Sequence, residues 1–104
     1  MSQNQFECRI SEEDVEILKI MAHPMRLQLV MELKQRETCN VTQLTEILNI
    51  PQSTVSQHLS KIKQNKVVRA ERRGLEMYYQ IHNDKVSEVG KTLLSENMKI
   101  MEKR

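Results

Sequence analysis

Between Pro51 and Lys63 the chain carries Gln52, Ser53, Thr54, Ser56, Gln57, His58, Ser60, Lys61 and Lys63. Read as a helix, this stretch places Val55, Leu59 and Ile62 at i, i+4 and i+7 on one face. Ser53, Thr54, Gln57, Ser60 and Lys61 then lie opposite. That opposite face is polar, mostly uncharged, and able both to donate and to accept hydrogen bonds. An ordinary solvated face in this chain would carry Glu and Lys instead. Hydroxyls and carboxamides suit base edges in a DNA major groove, and adjacent cations suit phosphates. Taken alone, the segment also reads as a Ser-rich solvated helix, so its surroundings must decide.

The surrounding charge favours a polyanion. The net charge of the 104 residues is only +2, but it is polarised. Residues 1–18 hold five acids (Glu7, Glu12, Glu13, Asp14, Glu16) against Arg9. Residues 61–73 hold six cations (Lys61, Lys63, Lys66, Arg69, Arg72, Arg73) against Glu71. A basic block beside a Ser/Gln face is the footprint of a nucleic-acid binder. On that reading Gln57 pairs with adenine in a bidentate manner, while Ser53 and Thr54 meet a thymine methyl or an acceptor. Ser56, Ser60, Lys61 and Lys63 are expected on phosphates, with Gln52 in the same set. Arg72 and Arg73 should border a minor groove, whose narrow A·T stretches attract Arg. His58, between the apolar and polar faces, is expected behind the contact layer or on a phosphate. Gln43, at the start of the preceding helix, should donate to a phosphate.

These residues need a helical scaffold, and the composition supplies one. Hydrophobic residues make up 38% and aromatics 3%, so the core must be aliphatic, with seven Met as filler. Two Gly and two Pro argue against a turn-rich β protein. No apolar run approaches the ~20 residues of a membrane span, and no signal-peptide pattern is present, so a cytoplasmic protein without a membrane partner is expected. Ser11 with Asp14 resembles a capping box and starts a first helix to about Ala22. Its stripe is Val15, Leu18, Met21 and Ala22, widened by Ile17 and Ile20. His23-Pro24 breaks it and opens a second helix to about Arg36, with Leu27, Val30, Met31 and Leu33 inward. Glu37 to Asn40 is a connection. A third helix, Val41 to Leu48, buries Val41, Leu44, Ile47 and Leu48, and Asn49-Ile50-Pro51 turns into the Ser/Gln helix. Residues 67–72 and 76–81 alternate around Arg73-Gly74-Leu75 as a hairpin. A last helix, Lys85 to Lys103, has the stripe Val86, Val89, Leu93 and Ile100, widened by Leu94, Met98 and Met101. So small a chain cannot cover that stripe itself, which points to a partner surface.

The expected organisation is a loose arm at residues 1–10 and a winged helix-turn-helix at 11–104. The fold class is mainly α with a small β-hairpin, in the order α-α-α-α-β-β-α.

Three stretches resemble the ArsR/SmtB family of small bacterial repressors. Ala22-His23-Pro24-Met25-Arg26-Leu27 is similar to the family's A-x-P-x-R-L segment. Gln52-Ser53-Thr54-Val55-Ser56-Gln57-His58-Leu59 matches its recognition-helix signature. Arg73-Gly74-Leu75-Glu76-Met77-Tyr78-Tyr79 resembles its wing. From Asn40 through Val86 the chain is most similar to the PagR-type subgroup. The resemblance implies a homodimer built from the terminal helices, here about 11–22 and 85–103. It also implies binding to double-stranded operator DNA of two-fold symmetry and repression of transcription, usually until an inducer binds. Which inducer acts here is not indicated.

The family's metal sites can be checked position by position. Where a thiolate pair stands on the third helix, this chain has Asn40-Val41-Thr42, with no soft ligand. Where the last-helix site needs Asp, His or Glu, it has Asn83, Lys85, Glu96 and Lys99, which do not make a zinc set. No metal site and no cofactor is expected. Cys8 and Cys39 are free thiols by default. Since some relatives join an N-terminal thiol to thiols near the third helix, a redox or soft-metal response through these two is an alternative. Catalysis is not expected: no Gly-rich phosphate loop and no nucleophile beside a base is present. The remaining alternative is a winged-helix adaptor that binds protein, which would not need a Ser/Gln face or a basic wing.

Overall fold

The computed structural model describes residues 9–102, and the side chains of residues 9–93. The expected arm at 1–10 therefore lies almost wholly outside the described residues. The elements are α1 (Glu12–Met21), α2 (Pro24–Arg36), β1 (Cys39–Asn40), α3 (Val41–Leu48), α4 (Gln52–Gln64), β2 (Val68–Arg73), β3 (Glu76–Ile81) and α5 (Asp84–Glu102).

Local chemistry sets the helix boundaries. The Ser11 hydroxyl accepts the Asp14 N–H at 3.0 Å and caps α1, whose acidic first turn suits the helix dipole. His23 caps α2 by accepting the Met25 N–H on Nδ1 at 3.1 Å, with Pro24 in the first turn. Asn40 and Gln43 form a reciprocal capping box on α3, both hydrogen bonds 2.8 Å. Asn49 ends α3 in the left-handed region at φ 56°, a conformation Asn tolerates, and Pro51 leads into α4.

The sheet has one strand more than the sequence pattern suggests. β1 lies in the segment expected to be a plain connection and pairs antiparallel with β3, Cys39 opposite Tyr79 and Asn40 opposite Tyr78. The strand order is β1-β3-β2. Two residues show no alternation of their own, so this strand exists only because β3 offers a free edge. The β2–β3 hairpin runs in register from Val68 opposite Ile81 to Arg73 opposite Glu76, and its turn needs Gly74 at φ 64°.

Leu29, Val30, Leu33, Leu44, Val55, Leu59, Ile62 and Val67 are fully buried. The expected α1 stripe is only partly inward. Ile20 and Met21 are buried and Ile17 is half-buried, but Ala22 is exposed and Val15 and Leu18 remain 39% and 55% exposed. On α2 the pattern missed Leu29, and Leu27 and Met31 are half-buried. On α3 only Leu44 is fully enclosed, with Val41, Ile47 and Leu48 packed at its margin. α5 approaches α2 closely at Gly90, where a Cβ would stand 2.8 Å from Met31 Sδ. Val86 is buried, whereas Val89 and Leu93 stay about half exposed. The expected stripe members Leu94, Met98, Ile100 and Met101 lie outside the described side chains. No described helix is long and apolar enough to cross a membrane.

Leu59 has no exposed surface and Leu75 is 96% exposed. Leu59→Ala should therefore cost about 2–5 kcal/mol in denaturant unfolding, and Leu75→Ala less than about 0.5 kcal/mol.

Candidate nucleic-acid interface

α4 is oriented by its apolar side. Val55, Leu59 and Ile62 are buried, so the opposite face points outward, and Gln52, Ser53, Gln57, Ser60, Lys61 and Lys63 are all exposed. Thr54 and Ser56 are half-buried at its margins. No side chain caps α4; the Thr54 and Val55 N–H groups both reach the Pro51 carbonyl at 3.1 Å. The Gln52 and Ser53 amides thus sit in a first turn without intrahelical acceptors, at the positive end of the helix dipole. Such an end suits a phosphate oxygen.

Gln43 is exposed, but its carboxamide oxygen is taken by the Asn40 N–H in the α3 cap. Only its NH2 group is left to donate. His58 is half-buried, and its ring edge bearing Nδ1 is turned back toward α2, where it accepts from Arg26 Nε at 3.3 Å. Burial first, then His23 and Arg26, hold its pKa below the ordinary histidine value.

The wing presents two different arginines. Arg73 is held in place: its Nη2 donates to Glu71 at 3.1 Å, and its guanidinium stacks 4.9 Å from the centre of the Tyr78 ring. Arg72, the next residue along the strand, points to the other face of the hairpin and is exposed. Arg69, another cation of the basic block, also lies exposed on β2 and donates to Gln80 at 3.4 Å.

The residues at familiar metal positions have other work here. Asn40 caps α3, Asn83 accepts the Lys85 N–H at 3.0 Å, and Lys85 Nζ lies 3.7 Å from Asp14. Among the described residues no three His, Cys, Asp or Glu side chains group in a way that could hold a metal. Cys39 is a free thiol on β1, only 2% exposed. Burial pushes its pKa up, against the lowering effect of Arg36. A buried thiol that stays protonated is a poor nucleophile and metal ligand. Cys8 lies outside the described residues, as does any pairing of the two.

Arg26 was legible only as part of a resembling motif. Its bond to His58 spans 32 positions in sequence, and no local pattern announces it.

The family pattern described as bacterial regulatory protein, arsR family, matches residues 23–69. The transcriptional repressor PagR of Bacillus anthracis is 55% identical over 82 residues, covering 79% of this chain and 82% of that protein. The PagR crystal structure superposes with a TM-score of 0.73 at 54% identity, over 79% of this chain and 93% of that one. The HTH-type transcriptional repressor SmtB of Mycobacterium tuberculosis is 39% identical over 66 residues, 64% of this chain and 48% of that protein. The antimony-specific transcriptional repressor AntR shares the fold, with a TM-score of 0.79 at 23% identity over all of this chain and 96% of the other. With its helix-turn-helix, its wing and this degree of identity, the chain belongs to the arsR family of bacterial regulatory proteins and is a winged-helix transcriptional regulator that binds DNA.

Proposed function

We propose that this protein is a homodimeric repressor that works in the cytoplasm and holds two-fold symmetric operator DNA. The observation that carries this reading is the outward face of α4, uncharged and hydrogen-bonding at Ser53 and Gln57 and cationic at Lys61 and Lys63. Gln57 and Ser53 read base edges, with Thr54 at the margin. Gln52, Ser56, Ser60, Lys61 and Lys63 hold phosphates, together with the NH2 group of Gln43. Arg72 and Arg73 border the minor groove from the wing. The similarity to PagR, a named repressor, supports repression as the outcome.

The dimer is supported by apolar surface that one chain leaves open. Val15 and Leu18 on α1 and Val89 and Leu93 on α5 are exposed beside a groove of about 190 Å³. Ile17, Met21, Leu27 and Val86 line that groove. A second copy would cover these helices and set two α4 helices at successive major grooves. The thiol-switch alternative draws no support from Cys39, which is buried with a raised pKa.

Footprinting on the region upstream of its own gene, followed by titration on the protected duplex, tests the reading. Gln57→Ala should cost about 1–3 kcal/mol on that duplex and little on random DNA. Lys61→Ala should weaken both alike and lower the salt slope by about one. Equal losses on both duplexes for Gln57→Ala would remove Gln57 from base reading. Leu18→Glu should shift the sedimentation mass from dimer to monomer and weaken operator binding while leaving the helical circular dichroism in place.

A further inference from the structure

Arg26 ties three helices together at one point. Its Nη1 donates to the carbonyl oxygen of Ile20 at 3.0 Å, and its Nε donates to Nδ1 of His58 at 3.3 Å. The Ile20 carbonyl belongs to the last turn of α1, where carbonyls have no helical partner. His58 sits in the middle of α4, one residue beyond Gln57. The α2 cap, His23, completes the cluster, its ring centre 4.6 Å from that of His58 at an edge-on angle of 63°. Arg26, His23 and His58 are all half-buried. A single guanidinium thus links the end of an outer helix to the helix that carries the Ser/Gln face.

The link depends on the protonation state of one ring. Arg can only donate, so Nδ1 of His58 must accept, which requires a neutral imidazole with its proton on Nε2. Adding a proton to Nδ1 removes the acceptor and sets an imidazolium beside a guanidinium. The titratable and charged groups acting on His58 among the described residues are His23, the cap of α2, and Arg26 on α2 itself. α1 enters through the Ile20 carbonyl, and none of the groups that shift His58 stands on α3 or β2.

We propose that Arg26 and His58 form an acid-labile brace that positions α4 for DNA: neutral His58 ties α4 through Arg26 to the end of α1, and its protonation releases the tie, so that operator affinity falls on acidification. The inference rests on α4 being the DNA-reading helix. Arg26 and His58 are positioning residues here. Since burial, His23 and Arg26 hold the His58 pKa down in the braced fold, the brace is at full strength above the ordinary value of about 6.5. It weakens as pH falls from there through the depressed value. This direction is diagnostic. A histidine resting on phosphate gains charge on acidification and tightens DNA binding, the opposite slope.

The test is operator affinity from about pH 8 to about pH 5.5 at constant ionic strength, a range that spans the histidine transition, on the duplex protected upstream of the protein's own gene. Wild type should lose affinity toward acid, by up to about tenfold for each unit by which the His58 pKa lies lower in the DNA-bound than in the free protein. His58→Asn keeps an acceptor near the Nδ1 position and does not titrate, so it should keep most of the affinity at high pH and lose the acid slope. Arg26→Met should bind weakly throughout. Imidazole 15N NMR of the wild type, which needs no variant, should show His58 as the Nε2–H tautomer with a midpoint below the ordinary value. Specific binding that is flat or tightens on acidification, an acid slope that His58→Asn retains, or an Nδ1–H tautomer would each overturn the brace. Wild type that fails at high pH to prefer this duplex over random DNA would instead overturn the DNA-reading role of α4, and the brace's effect with it.

Discussion

Val55, Leu59 and Ile62 have no exposed surface, and this burial constrains everything else that α4 does. Each such side chain contributes roughly 1.5–3 kcal/mol when taken out of water. Turning the helix about its axis would expose all three and drive Gln57 and Lys61 into an aliphatic core without partners, a further cost of several kcal/mol. The rotation of α4 is therefore set by hydrophobic burial, and the Ser/Gln face is outward as its consequence. α3, capped at both ends by Asn residues, gives the turn at Asn49 to Pro51 a defined exit. The wing then places a second cationic surface on the same small domain.

Polar residues here are assigned to architecture more often than their types suggest. Asn40 and Gln43 spend their carboxamide oxygens on the α3 cap, and His23 spends its Nδ1 on the α2 cap. Asn83 caps the start of α5, and Arg73 is braced by Glu71 and Tyr78. Each satisfies a backbone group or fixes a side chain that would otherwise wander. Lys61, Lys63 and Arg72 are exposed and among the described residues have no such side-chain partner, which leaves their charge open to solvent.

The two outer helices follow a different logic. α1 and α5 carry apolar residues around more of their circumference than one chain can cover, so Val15, Leu18, Val89 and Leu93 stay at the surface. Their stripe was visible in the sequence, but which half of it faced inward was not. Periodicity counts apolar residues around a helix; it does not count how many neighbours will come to bury them. The same limit hid Leu29, fully buried on α2, a helix that packs against α1, α4, β3 and α5 at once.

What the sequence determined by itself was everything local. The caps at Ser11, His23 and Asn40, the turn around Asn49 and Pro51, the Gly74 hairpin and the buried stripe of α4 are each written within a few neighbouring residues. Together they specify a winged helix-turn-helix and the outward Ser/Gln face of its second helix. What only the tertiary structure decided is what joins distant segments. β1 forms because β3 leaves an edge beside Cys39 and Asn40. The Cys39 thiol is buried and its pKa raised because the core closes over it. Arg26 meets His58 because α2 packs across α4. Hydrogen bonds and burial between residues tens of positions apart depend on how elements dock, and docking is set by the whole core at once.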